Sequence, residues 1–119
     1  MNIDLLNNLV GCYFILAISY NILSFVMNDV MGRSLTSNKP LPAIVMMALL
    51  YLIYVSEAAL GTGAWTFLMV VFLLLILRLG IYSHLVGYNE DQYFSRSAWA
   101  AAILINVYGV AVLSLSLFY

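Results

Sequence analysis

The chain has 119 residues, of which 66% are hydrophobic and 8% are charged, and its formal net charge is −1. Soluble domains usually carry about 25% charged residues, so this chain has too few charges to cover a surface in water. Lipid is therefore the expected solvent for most of the chain, and the same composition excludes a disordered chain. The slightly acidic balance, without clustered Lys and Arg, argues against a nucleic-acid partner.

Four apolar runs follow one another, each about long enough for a membrane-spanning helix of roughly 20 residues. We predict helices over approximately residues 5–27, 41–60, 64–85 and 98–118. Residues 61–63 (Gly-Thr-Gly) predict a tight turn between the second and third helices, which places Trp65 at the membrane interface. The chain is thus expected to be one all-α domain, an integral membrane bundle of four transmembrane helices.

The four basic residues are distributed unevenly over this topology. Arg33, Lys39 and Arg96 lie in the two longer polar stretches, and Arg78 lies in the last third of a helix that runs towards them. The turn at residues 61–63 carries no Lys or Arg. Because Lys and Arg are enriched in cytoplasmic loops, we predict a multi-pass protein of the cell (inner) membrane with both termini on the non-cytoplasmic side.

Ionisable side chains inside a membrane are costly, so each one is a candidate functional group. Arg78 has two interpretations: it snorkels to the cytoplasmic headgroups, or it forms a polar pocket with groups on the same side. The other members of that pocket would be Asp29, Tyr82, His84, Glu90, Asp91 and Arg96. His84 is the only histidine, so it lies at the headgroup level or binds haem together with a histidine from a partner subunit. We identify no catalytic residue and no metal-ligand cluster in the sequence.

Glu57 is expected near the outer end of the second helix, about 5 Å below the turn at the usual helical rise. Arg78 should lie about 20 Å below the same turn by that rise, so an ion pair between Glu57 and Arg78 is not expected. Glu57 is then an interfacial carboxylate or, in the alternative, the coupling-proton site of a small transporter.

Two stripes of small and polar residues follow helical spacing and predict close helix packing. They are Tyr13, Ala17, Tyr20 and Ser24 in the first helix, and Ala98, Ala102, Asn106 and Gly109 in the last. Small residues let helices approach closely in lipid, and Asn or Tyr can hydrogen-bond across the contact. The single cysteine, Cys12, lies inside the first apolar run and is expected to be buried.

One known family shares several of these features. The shared features are Trp65 opening the third helix, Arg78 and Tyr82 later in that helix, and Arg96-Ser97 before Ala98-Trp99. On these residues the span 41–102 resembles the MAPEG superfamily, the membrane-associated proteins of eicosanoid and glutathione metabolism. The resemblance implies a four-helix chain, usually trimeric, with both termini on the non-cytosolic side.

The match does not extend to the family's glutathione-binding signature. That signature consists of Arg, His, Asn and Glu at the start of the second helix. The corresponding residues 33–42 of this chain contain neither His nor Glu. The resemblance therefore implies the fold more directly than it implies glutathione chemistry.

These observations predict a small polytopic membrane protein, a non-catalytic accessory subunit that packs against a larger integral membrane complex. Its expected partners are other integral membrane subunits and lipid, with a homo-oligomer as another form. We expect no cofactor other than bound lipid. Two alternatives stay open: a divergent MAPEG-like, glutathione-dependent enzyme or binding protein, and a small oligomeric transporter.

The predicted orientation determines which engineered cysteines react with an impermeant thiol reagent added outside intact cells. In a Cys12→Ser background, Gly63→Cys and Tyr119→Cys should react. Cysteines at Asn38 and Glu90 should stay unlabelled. Reversed labelling would overturn the orientation, and labelling at only one of the first two positions would overturn the four-span count.

Overall fold

The computed structural model describes residues 2–32, 35, 39–86 and 93–118, and every regular element in them is helical. The elements are α1 (Ile3–Met31), α2 (Pro40–Val55), α3 (Glu57–Leu60), α4 (Thr62–Leu75), a π-helical segment (Ile76–Tyr82), α5 (Ser83–Val86) and α6 (Arg96–Ser116). The all-α prediction is confirmed.

Three continuous helical stretches are long and apolar enough to cross a membrane: Ile3–Met31, Thr62–Val86 and Arg96–Ser116. The fourth apolar helix, Pro40–Val55, has only 16 residues. It ends at Ser56, whose N–H donates to the Ile53 carbonyl at 3.1 Å, and the short α3 follows. The lengths and composition indicate a membrane helical protein, with three long apolar helices and one shorter apolar helix among the described residues.

The turn between α3 and α4 is tighter than the sequence predicts. Within this turn only Gly61 has a positive φ, of 86°, and α4 begins at the next residue. Trp65 is buried, and its indole N–H donates to the Tyr54 carbonyl at 3.2 Å. That carbonyl is among the last four of α2, which lack a partner within their own helix. Trp65 therefore ties α2 to α4 beneath the turn.

The helices form a closed ring of four. α1 packs against α2 and α6, and α4 packs against α2 and α6 in turn. The π-helical segment also packs against α6. Because each helix neighbours the next one along the chain, the last contact, between α1 and α6, closes the bundle.

The two predicted packing stripes meet at this closing contact, which we call the α1–α6 seam. A Cβ atom built at Gly109 would overlap the Tyr13 ring, so only glycine fits beneath that ring. Ala17 on α1 and Ala102 on α6 are also buried. Both stripes are thus occupied, at least in these residues, by contacts within the chain.

Tyrosine hydroxyl groups add hydrogen bonds across the seam. Tyr20 on α1 donates to the Ala98 carbonyl at 2.5 Å, and Tyr108 on α6 donates to the Leu9 carbonyl at 2.7 Å. Since lipid offers no hydrogen-bond partners, each such bond favours the associated helices over separated ones.

Ser24, the last residue of the first stripe, has a different role. It is buried, and its hydroxyl accepts a hydrogen bond of 3.0 Å from the backbone N–H of Leu35. The Leu35 carbonyl in turn accepts from the Phe94 N–H at 3.1 Å. Described parts of the two polar stretches therefore meet at this end of the bundle.

The expectation that Cys12 is buried is wrong, because its side chain is exposed on α1. Burial on this helix follows Leu6, Val10, Tyr13 and Ala17, which face the other helices. Cys12 lies outside that buried face, on the part of α1 that faces away from the bundle.

The seam predicts that Tyr20→Phe destabilises the bundle. The variant keeps the ring and loses the hydrogen bond to α6, so the free energy of unfolding should fall by about 0.5–1.5 kcal/mol. Tyr51→Phe is the matched control because Tyr51 is exposed on α2. Reversible unfolding in detergent measures both variants, and equal stabilities would show that the Tyr20 bond contributes nothing.

Candidate functional site

A cavity of about 310 Å³ opens among all four helices of the ring. It lies at the end where α1 and α5 finish and where α2 and α6 begin, which we call the loop end. Its apolar wall includes Met46, Met47, Leu75, Leu79 and Ile105. Its polar wall consists of Tyr20, Asn21, Lys39, His84 and Asn106.

The π-helical segment forms one wall of this cavity. Within this segment Gly80 is buried against α6, and a Cβ atom there would lie 2.6 Å from Asn106 Cγ. The Asn106 amide donates to the Gly80 carbonyl at 3.1 Å and to the Ala102 carbonyl at 2.8 Å. The amide thus holds the widened turn against α6. Single π-helical turns of this kind are frequent at functional sites.

His84 is buried at the edge of the cavity. Its Nδ1 and the Tyr93 hydroxyl share a hydrogen bond of 2.8 Å, and Tyr93 is buried as well. The Trp99 indole N–H donates to the His84 carbonyl at 2.9 Å. His84 therefore lies inside the protein, where it joins α5 to residues at and before the start of α6.

The described residues of the polar pocket predicted around Arg78 differ in their exposure. Arg78 and Tyr82 are exposed, with the guanidinium carbon 4.9 Å from the centre of the Tyr82 ring. Asp29 is exposed in the last turn of α1, and Arg96 is exposed at the start of α6. Of the predicted set, His84 lines the cavity. The predicted members Glu90 and Asp91 lie outside the described residues.

Glu57 lies at the opposite end of the bundle. It is exposed at the start of α3 and lines a second hollow of about 520 Å³, whose other walls come from α1, α2, α4 and α6. In that hollow the Tyr54 hydroxyl donates to Asn7 Oδ1 at 2.6 Å. These contacts place Glu57 at the rim of the bundle, beside a tyrosine–asparagine bond that joins α2 to α1.

Comparison of the chain with protein-family models, curated proteins and solved structures finds no match. Membership of the MAPEG superfamily therefore stays a prediction, as does the transporter alternative.

Several side chains of the cavity wall could be identified from the sequence, but the cavity itself could not. Asn106 was assigned to helix packing, and Gly80 and Lys39 had no assigned role at the site. The available signal was a glycine inside an apolar span together with an asparagine on the last helix. A buried amide needs a hydrogen-bond acceptor, and a glycine is where a helix backbone can come closest to it.

The Asn106–Gly80 contact predicts that Asn106→Leu lowers the free energy of unfolding by about 0.5–1.5 kcal/mol, because the partly buried hydrogen bond to the Gly80 carbonyl is lost. Ser83→Ala is the control. The Ser83 hydroxyl also donates to a helix carbonyl, that of Leu79, but its bond is exposed. Denaturant titration in detergent micelles compares the two variants, and a loss of similar size in both would refute a special role for Asn106.

Proposed function

We propose that this chain is a non-catalytic subunit that packs against a larger complex of the cell (inner) membrane, with both termini on the non-cytoplasmic side. The observation that carries this proposal is the exposed guanidinium of Arg78. It lies on the outer surface of an apolar stretch of 25 residues, Thr62–Val86. An outward-facing charge within such a stretch is unusual because ionisable groups normally face the inside of a bundle.

The depth of Arg78 makes its environment costly. Val86 ends the stretch eight residues later (86 − 78), which is about 12 Å at the helical rise. Arginine costs about 2.5–3.5 kcal/mol at the centre of a membrane helix, and Arg78, nearer to one end, would carry part of that cost. The contact with the Tyr82 ring offsets about 0.5–2 kcal/mol of this. A carboxylate or carbonyl oxygen on a neighbouring helix would satisfy the remaining donors of the guanidinium.

The residues around Arg78 suit such a neighbour. Phe67, Val71, Leu74 and Tyr82 are exposed and recur at helical spacing with Arg78. We call these five residues the α4 face, although Arg78 and Tyr82 belong to the π-helical segment that continues α4. Aromatic residues and arginine are enriched in protein interfaces. Since the stripes on α1 and α6 make contacts within the chain, the α4 face is the surface on which the partner is expected.

The proposal predicts that a partner co-purifies from wild-type membranes in mild detergent and is lost in Arg78→Leu. This variant removes the donors that the partner's oxygen uses, and Phe67→Ala should weaken the same contact. Leu104→Ala is the control because Leu104 is equally exposed on α6. Quantitative mass spectrometry of the purified material measures all three.

Arg78→Lys separates this role from snorkelling. A snorkelling side chain needs only length and charge, so lysine would serve equally well. A guanidinium that grips a carboxylate uses two parallel donors, which lysine lacks, so assembly should be weakened. Full recovery of the partner with Arg78→Lys and Arg78→Leu, or a wild-type chain that purifies only as a homo-oligomer, would contradict the accessory-subunit proposal.

A further inference from the structure

We propose that the cavity at the loop end binds an amphiphile with one hydrocarbon chain and an anionic headgroup. The headgroup lies at Lys39, and the chain extends between α2 and the π-helical segment. The binding needs no partner subunit and is therefore independent of the proposed assembly through the α4 face.

The size of the cavity suits a single chain. Its volume of about 310 Å³ is at the lower end of the range for small-molecule sites, roughly 300–1,000 Å³. Along α2 it extends from Lys39 to Met47, eight residues (47 − 39), or about 12 Å. The hydrocarbon core of a bilayer is about 30 Å thick, so the cavity covers most of one leaflet. These dimensions favour one chain over the paired chains of a diacyl lipid.

The wall changes from polar to apolar along this path. Lys39 is exposed at the start of α2, and Tyr20 and Asn21, two other polar residues of the wall, are half-buried. At the other end Met47 and Ile76 are buried and apolar. A ligand with a charged head and a hydrocarbon tail matches both ends, whereas a wholly polar or wholly apolar ligand matches only one.

Among the described residues that line the cavity, Lys39 is the only Lys, Arg, Asp or Glu, and its charge is positive. Lys39 directly precedes α2, and the prolines at positions 40 and 42 have no N–H, so the first turn offers fewer amide donors than usual. The ammonium group of Lys39 is therefore the principal feature in this wall that selects an anion. A carboxylate or a phosphate monoester headgroup fulfils this requirement.

The cavity is held open by bonded groups. Asn106 fixes the π-helical turn through Gly80, and the Asn21 amide donates to the Ala17 carbonyl at 2.8 Å. The same wall contains Met46 and Met47, whose flexible thioether side chains adapt to irregular apolar ligands. The wall thus combines a fixed frame with adaptable packing.

Two sources could supply this chemistry, a free fatty acid and a lysophospholipid of the membrane, and brominated probes distinguish them. Trp99 donates to the carbonyl of His84, a cavity residue, so a brominated chain in the cavity should quench its fluorescence. The second tryptophan, Trp65, lines the other hollow, so the measurement is made in a Trp65→Phe background. The purified chain in phosphatidylcholine nanodiscs is titrated with dibrominated stearate and, separately, with dibrominated lysophosphatidate. Saturable quenching is expected, and the probe with the lower half-saturating concentration identifies the source.

Matched variants decide whether the quencher lies in the cavity. Ala43→Phe places a phenyl ring in the cavity, because Ala43 lines it, whereas Ala48→Phe adds the same side chain at an exposed position of α2. Ala43→Phe should raise the half-saturating concentration of the probe by about tenfold or more, because the phenyl ring occupies space that the hydrocarbon chain would fill. Ala48→Phe should leave it unchanged.

Lys39 provides a second test that does not depend on packing, because its side chain is exposed. Lys39→Gln should weaken binding of the anionic probe by about tenfold, the size of one charged hydrogen bond, whereas Lys39→Arg should restore it. Equal responses of Ala43→Phe and Ala48→Phe, full binding by Lys39→Gln, or quenching that never saturates would each overturn the proposal.

Discussion

The close approach of Tyr13 to Gly109 brings the first and last helices of this protein together, and the rest of the bundle depends on that contact. The Tyr13 ring lies where any larger residue at position 109 would place its Cβ. Helices in lipid associate through close packing and interhelical hydrogen bonds because burial from water no longer drives them together. The α1–α6 seam supplies both, through Gly109 and through the hydroxyl groups of Tyr20 and Tyr108.

The contact that closes the ring at the seam also determines how the stretch Thr62–Val86 packs. The stretch Thr62–Val86 contacts α6 through its π-helical turn, and the Asn106 amide occupies the space beside Gly80. That turn leaves the loop-end cavity between it and α2, with Lys39 at its open end. The same stretch presents Arg78 outward, stacked on Tyr82. One long helix therefore supplies a wall of the interior site and the outer surface proposed for assembly.

Much of the architecture could be predicted from the sequence. The length of each apolar run indicates a helix, and the spacing of small residues indicates which helix face packs closely. The helical class is confirmed, and the two stripes that were selected for close packing meet in the structure at Tyr13 and Gly109. The break at Ser56 and the π-helical turn at Gly80 were not predicted, since each depends on a contact with another helix. The cavity was missed for the same reason: its wall draws residues from four helices, and periodicity describes one helix at a time. Cys12 was misjudged because an apolar run in a membrane protein does not show which of its residues face outward.

The most direct test of the closed ring is a double-mutant cycle between Tyr13 and Gly109. Each variant's free energy of unfolding is measured in detergent. Gly109→Ala alone should destabilise the bundle by about 1–3 kcal/mol, because the added methyl group meets the ring. In a Tyr13→Leu background the same substitution should cost much less, which gives a coupling energy of about 1 kcal/mol or more. Additive effects, with Gly109→Ala equally costly in both backgrounds, would show that the two residues do not meet and would contradict the closed ring.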